Sequence, residues 1–255
     1  MTKGSPRFKI SYSTFSRAVR TRDRFVRDRD TESFLAALLS TAVKRVQVIP
    51  AGRGYWRAQL GSEEKDDGKG PDLRPLPPSR MTPPRGSARE GRINPKGIPC
   101  LYLATDRSTS IAEVRPWRHA HVSVGRFETT KPVKVVDCSA DGGVKRFIFP
   151  RARRVLEEDV WGDVNAAFSR PFEANDTSPD YVPTQVIAEV FRHHGYDGVV
   201  FRSSVAEGHN VALFDLNAAK LAMCELHRVT AIEYKAKEYA NPYYVKPKPS
   251  PARAH

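Results

Sequence analysis

The sequence predicts an α+β fold, a compact mixed sheet with flanking helices, preceded by an N-terminal helical extension. Short apolar runs at 99–104, 199–201 and 211–214 and β-branched runs at 121–127 and 133–138 are bounded by Gly, Pro, Asp and Thr turns. Helical apolar periodicity is confined to separate stretches within 14–46, 155–168 and 181–194. No internal repeat accompanies them, so short strands and segregated helices point to one α+β core.

Composition narrows the class further. A chain of 255 residues with 40% hydrophobic content can bury one sizeable core and carry an extension. No apolar run approaches the ~18 residues of a membrane span, and the opening MTKGSPRFKISYS lacks the apolar stretch of a secretion signal. A cytoplasmic location without membrane attachment is therefore expected. Cys100, Cys138 and Cys224 are odd in number and widely spaced, which suits buried free thiols and neither a disulfide framework nor a metal site. The histidines also lack ligand spacing, so no metal is expected.

The net charge of +13 is unevenly spread. Residues 1–90 hold 19 basic and 10 acidic side chains, residues 91–231 hold 18 and 17, and residues 232–255 hold 5 and 2. The central domain is nearly neutral, and the ends carry the excess.

Residues 14–29 read as an amphipathic basic helix with Phe15, Val19, Arg22 and Phe25-Val26 on one face. A second helix after Asp30 carries Phe34-Leu35, Leu38-Leu39, Ala42-Val43 and Val46 at helical spacing, and Pro50 closes it. Residues 1–50 thus form an extension expected to pack on the core through Phe34, Leu35, Leu38 and Leu39. The arginines suit RNA or an acidic partner, but no aromatic ladder or nucleic-acid motif accompanies them, so a solvated basic face is the better reading.

Gly54–Leu60 reads as a strand in which Arg57 is either a substrate-binding cation or an edge arginine whose stem packs on Trp56 or Tyr55. From 61 to 90 the chain changes character. Six prolines between Pro71 and Pro84 follow GSEEKDDGKG with no apolar periodicity, which describes a flexible insertion or an active-site lid.

The densest chemistry lies between Gly91 and Glu113. Asn94, Pro95 and Gly97 make a turn, Pro99–Ala104 is a short buried strand, and Thr105 or Asp106 caps a helix that Pro116 cannot continue. Strands at 121–127 and 133–138 are expected to pair as a hairpin or lie as near neighbours. A helical stripe from Val155 to Phe168 ends at Pro171, and Tyr181–His194 is a helix opened by Pro183 and stopped by Gly195. The tail 232–255 is basic and contains four prolines.

GRINPKGIPCLYLA followed by STSIAEV, and YVPTQVIAEVFRHHGYDGVVFRSSVAEGHNVALFD at 181–215, resemble the two halves of the RES domain in order. The resemblance assigns 51–231 to that domain and implies an ADP-ribosyltransferase-like fold that cleaves NAD+ between nicotinamide and ribose, often as a toxin paired with an antitoxin. NAD+ would then be substrate, with no cofactor. A homodimer is compatible with the pattern.

The residue types suit that reaction. Cleavage develops an oxocarbenium-like centre that a carboxylate stabilises, which makes Glu113 the candidate. The pyrophosphate calls for an arginine fork, with Arg92 first and Arg57 behind it. Tyr102 offers a ring for nicotinamide and a hydroxyl for a ribose or amide oxygen. Ser203 or Ser204 would add a hydrogen bond, but being adjacent on an extended chain they point oppositely. Asn210 can bind an amide or ribose edge.

Each residue type also has an ordinary structural use: a loop cation, a core tyrosine, a surface carboxylate, a serine turn. The chain departs from the family pattern at Ile93, where an aromatic is common, and in the loop after the serines, which brings Glu207 and His209. The acceptor stays open among water, phosphate and a macromolecule, and an inactive basic binding module is the alternative of another class.

Overall fold

The computed structural model describes residues 8–66, 71–139, 157–170, 178–237 and 240. Helix α1 (Tyr12–Thr21) starts at Ser11, whose hydroxyl accepts from Thr14 N–H, and α2 (Arg29–Ala42) starts at Asp28, which accepts from Thr31 N–H. These side-chain caps set where the helices begin. The first helix is shorter than its apolar spacing predicted. Arg22 leaves helical geometry, its guanidinium pairs with Asp28, and Phe25 and Val26 are 95% and 82% exposed instead of sharing a face with Phe15.

The second helix also stops earlier than expected. After a 3-10 turn at Val43–Arg45 the chain becomes strand β1 (Val46–Ile49). Val46-Gln47-Val48-Ile49 satisfies a strand period as well as a helical one, and the partner available at Val136 decides between them.

The remaining strands are β2 (Gly54–Leu60), β3 (Glu63–Asp66), β4 (Pro71–Arg74), β5 (Leu101–Ala104), β6 (His121–Thr129), β7 (Val133–Asp137), β8 (Gly198–Arg202), β9 (His209–Leu213) and β10 (Ala219–Arg228). Eight of them form one mixed sheet in the order β1-β7-β8-β9-β5-β2-β6-β10. Among the described strands, β7 and β8 alone pair in parallel. Their connection passes through α5 (Glu157–Ser169) and α6 (Ser178–His193), as parallel neighbours require.

Strands β6 and β7 do not form the expected hairpin. Four strands separate them in the hydrogen-bonding order, although only residues 130–132 join them. The sheet accommodates this by curling. Tyr55 and Phe127, from β2 and β6, share one apolar cluster with Val133, Val135, Val200, Val211 and Leu213 from the other half. The two halves therefore face each other across a common core, and the short connection turns a corner.

The other face of β7, β8 and β9 meets the helices. Val136, Val199, Phe201 and Ala212 pack with Phe15, Phe34, Leu38, Trp161, Phe168, Ile187 and Phe191, while Val135, Val200 and Val211 point the opposite way. This alternation is the strand period made visible. Trp161 Nε1–H donates to Thr41 Oγ at 3.0 Å, and Phe15 and Phe34 stack at 4.5 Å, which fastens α1 and α2 to this layer. Cys100 and Cys138 are buried free thiols, and Cys224 is half-buried.

The stretch read as one long loop contains the β3–β4 hairpin and the single turn α3 (Pro78–Met81). Leu76 and Met81 enter the core between the sheet halves, and Ser123 Oγ accepts from Leu76 N–H while donating to Gly61 O. Two apolar residues among prolines are too few to show periodicity, yet they suffice to cover Tyr55 and Phe127. Helix α6 begins one turn earlier than expected, so Pro183 lies inside it; the preceding Pro179 already occupies the first turn. Residues 67–70, the expected helix start at Val155-Leu156 and most of the tail 232–255 lie outside the described residues. Among the described residues no helix is long and apolar enough to cross a membrane.

Candidate active site

A break in the sheet creates the cavity. Strands β2 and β5 share one partner pair, Trp56 with Ala104. Continuing that register would set Ala58 opposite Tyr102, but the strands part, and the Tyr102 carbonyl accepts from Arg57 Nη1 at 3.0 Å instead. A guanidinium stands where a ladder hydrogen bond would be. Its Nε is buried without a hydrogen-bond partner among the described residues, and burial lowers the pKa of the group.

Helix α4 (Arg107–Glu113) delivers the carboxylate. Asp106 caps it by accepting from Thr109 N–H at 2.8 Å, and Glu113 is its last residue. Glu113 Oε1 accepts from Ser203 Oγ at 2.8 Å and from Asn210 Nδ2 at 2.6 Å. Asn210 is 8% exposed on β9, where it stands opposite Ala104, so one of the two donors is rigid. Ser203 sits in the loop after β8, and its oxygen also accepts from the Val205 and Ala206 N–H groups at 3.2 Å. That loop leans on the start of α4 through Gly208, where an added Cβ would collide with Asp106 Oδ2 and Thr109 Oγ.

The turn before β5 is held as firmly. Tyr102 Oη donates to Asn94 Oδ1 at 2.8 Å and accepts from Ile93 N–H at 3.0 Å. Burial pushes the phenol well above its usual range, so it stays protonated. Gly91 permits this approach, since a Cβ there would lie 2.6 Å from the Tyr102 oxygen. From α6, Thr184 Oγ donates to Arg92 O at 2.7 Å and Gln185 Nε2 to Gly91 O at 2.8 Å. Arg92 Nη1 donates to Phe168 O at 3.0 Å, and its guanidinium lies 6.0 Å from the Tyr181 ring centre.

These elements surround a cavity of about 490 Å³ whose lining includes Arg57, Arg92, Tyr102, Glu113, Ser204 and Asn210. Ser203 is not among the lining residues, and its hydroxyl is given to Glu113 Oε1. The two adjacent serines thus differ as alternate side chains should, one touching the carboxylate and one the cavity. Ile93, at the family's aromatic position, is buried in the helical-face core. Sequence reasoning missed Glu90, Arg115, Phe168, Arg170, Tyr181 and Arg202, which also line the cavity. Three of them had a local signal: Glu90 precedes Gly91, Tyr181 opens the second family block, and Arg202 stands beside Ser203.

The arrangement offers a positioned carboxylate at one wall, arginine forks around it, and aromatic faces from Phe168 and Tyr181. It suits an anionic ligand with flat rings that develops positive charge beside Glu113. A family model described as the RES domain matches residues 72–236. The chain belongs to the RES domain family. Among solved structures, a chain of the M. tuberculosis MbcT-MbcA toxin-antitoxin complex is 14% identical, with 76% of this chain and 92% of that one covered at a TM-score of 0.42. A comparison with curated proteins finds no match. The RES match contains Arg92, Tyr102, Glu113, Ser203, Ser204 and Asn210, whereas Arg57 lies upstream of it on β2.

Proposed function

We propose that this RES domain protein consumes NAD+, breaking the bond between nicotinamide and ribose with water or phosphate as acceptor, and acts as a toxin held in check by an antitoxin protein. The observation that carries the reading is the Glu113 carboxylate, fixed through one oxygen by Ser203 and Asn210 beside an arginine-lined cavity. NAD+ is the substrate, and the reaction asks for no cofactor.

In the chemistry we infer, the C1′–N bond breaks and its electron pair neutralises the pyridinium, releasing nicotinamide and leaving positive charge across C1′ and the ring oxygen. Hydrogen bonds to Oε1 hold the Glu113 carboxylate in place, so its negative charge faces that centre without reorganising. The acceptor oxygen then bonds to C1′ and loses its proton. Arg57 and Arg92 grip the pyrophosphate, and Ser204 and Asn210 are within the same lining to orient ribose hydroxyls. Tyr102, with its hydroxyl committed to Asn94 and Ile93, contributes its ring and the rigidity of the turn.

The test is incubation of purified protein with NAD+ followed by product analysis. Free nicotinamide together with ADP-ribose or its 1″-phosphate is the expected result. Nicotinamide with a labelled macromolecule would mean transfer instead, and intact NAD+ would overturn the reading.

A further inference from the structure

The cavity holds a second carboxylate that bond cleavage does not use. Glu90 lines it together with Glu113, and the two reach it from different parts of the fold. Glu113 ends α4 and is bonded to Asn210, which stands opposite Ala104 on β5. Glu90 precedes Gly91, where an added Cβ would meet the Tyr102 hydroxyl. Two residues of β5, about 7 Å, and the length of a tyrosine side chain set those two contacts apart, so the carboxylates serve different portions of a bound ligand.

Among the described residues, the hydrogen-bond donors to Glu90 are neutral and both belong to α6: Ser178 Oγ donates to Oε2, and Gln185 Nε2 donates to Oε1 at 3.1 Å. A carboxylate oxygen accepts two hydrogen bonds, so each Glu90 oxygen keeps one acceptor site. Two acceptor sites on one carboxylate match the two hydroxyls of a ribose diol. On the basis of the NAD+-cleaving reading, we propose that Glu90 binds the 2′- and 3′-hydroxyls of the adenosine ribose and so selects NAD+ against its 2′-phosphorylated counterpart, NADP+. With the nicotinamide ribose at Glu113, the pyrophosphate carries the second ribose away from it, and Glu90 shares its part of the lining with Phe168 and Tyr181, whose flat faces suit adenine. The turn and this wall are one unit, since Arg92 Nη1 donates to Phe168 O and Thr184 Oγ to Arg92 O. A hydroxyl gives a carboxylate a charge-assisted hydrogen bond, the use that dinucleotide-binding folds make of an acidic residue at the ribose 2′-hydroxyl. A 2′-phosphate removes that donor and sets about −1.5 to −2 of like charge in its place.

The experiment measures nicotinamide release from NAD+, from the analogue lacking the adenosine 2′-hydroxyl and from NADP+, at equal ionic strength, for wild type and Glu90→Gln. For wild type, kcat/KM should fall about tenfold or more when the 2′-hydroxyl is removed, the size of one hydrogen bond to a charged group, and at least as far for NADP+. Glu90→Gln keeps the size of the side chain, and Gln185 stays tied to Gly91 O and Asn94 O, so the turn should persist. The variant should lose efficiency on NAD+ through KM more than through kcat, and the three dinucleotides should draw closer together. Equal use of the three by wild type, or preference for NADP+, overturns the inference and leaves NAD+ cleavage standing. Discrimination against NADP+ with no loss on the deoxy analogue overturns the hydrogen bond and leaves exclusion by bulk. A uniform loss on all three in Glu90→Gln, with the wild-type ratios kept, means that Glu90 only braces the turn and overturns its assignment. Release from none of them overturns both readings. If Glu90→Gln does not fold, Glu90→Asp, which draws the carboxylate back by one carbon, takes its place and should narrow the same ratios.

Discussion

Gly208 lies so close to the Asp106 carboxylate that a Cβ on it would collide with Oδ2. Asp106 caps the helix that ends in Glu113, and Gly208 closes the loop that begins with Ser203. This one contact sets the spacing between the carboxylate and its hydroxyl donor.

Gly208→Ala should therefore disturb activity and stability together. The methyl group meets polar atoms on three side chains, Asp106, Thr109 and Thr105, and relieving such overpacking costs about 1–3 kcal/mol. Urea unfolding and NAD+ turnover should both report the change. A variant that matches wild type in both would show that the loop yields freely.

Glu113→Gln should keep the fold and lose the chemistry. The amide oxygen still accepts from Ser203 and Asn210, but the charge facing the developing cation is gone. Loss of a transition-state interaction of ~3–4 kcal/mol lowers turnover about 100- to 1000-fold. Thermal melting should stay near wild type, and near wild-type turnover would sink the site assignment.

Tyr102→Phe should separate positioning from chemistry. It strands Asn94 Oδ1 and Ile93 N–H in the turn that carries Arg92, at a cost of about 1–3 kcal/mol. Because the displaced group is the cation assigned to the pyrophosphate, KM should rise more than kcat falls. A selective loss of kcat would instead give the phenol a direct part in the reaction.

Asp106 links the site to acid. Burial pushes its carboxyl up, but the Thr109 N–H and the Ser108, Thr109 and Thr105 hydroxyls outweigh that, leaving it below its ordinary value of 3.8. With the folded-state value depressed, its contribution is fully present above pH 3.8 and is lost as pH falls through the folded-state value. Asp106→Ala should cost about 1 kcal/mol at neutral pH, as N-cap removal does. Melting curves of variant and wild type should converge below pH 3.8; a constant gap would show that the charge plays no part.

Thr41→Val tests how the extension is fastened. It keeps the shape but leaves the buried Trp161 Nε1–H without its acceptor, which costs about 1–3 kcal/mol. An unchanged unfolding midpoint would mean that α2 adds little to the stability of the helical layer.

What was legible in the sequence was mostly local. A cap at Thr105 or Asp106, of which Asp106 is the one used, and short strands at 99–104 and 199–201 follow from turn chemistry and apolar runs, and Glu113 stands out because Pro116 ends its helix. Its meeting with Ser203 and Asn210 came only from the order of two family blocks, since their separations of 90 and 97 residues leave no periodic trace. Arg115 and Arg170 were invisible for the same reason: each looks like a solvated loop cation until the fold turns it towards the cavity. The β6–β7 hairpin failed because strand pairing here follows a curled sheet, which no local pattern encodes. Phe25 and Val26 failed because an aspartate cap can end one helix by starting the next.

On the proposed function, the strand order also governs when the protein becomes dangerous. Among the described strands of the main sheet only β8 and β9 are joined by a short loop and lie side by side, and every other neighbour must be brought from farther along the chain. During synthesis the Glu113 carboxylate emerges first, the wall carrying Phe168 and Tyr181 next, and the two groups that anchor the carboxylate, Ser203 and Asn210, last of all. A half-made polypeptide therefore has the carboxylate but no pocket. Activity on this plan arrives only with the late strands β8 and β9, which bring the two donors to Glu113.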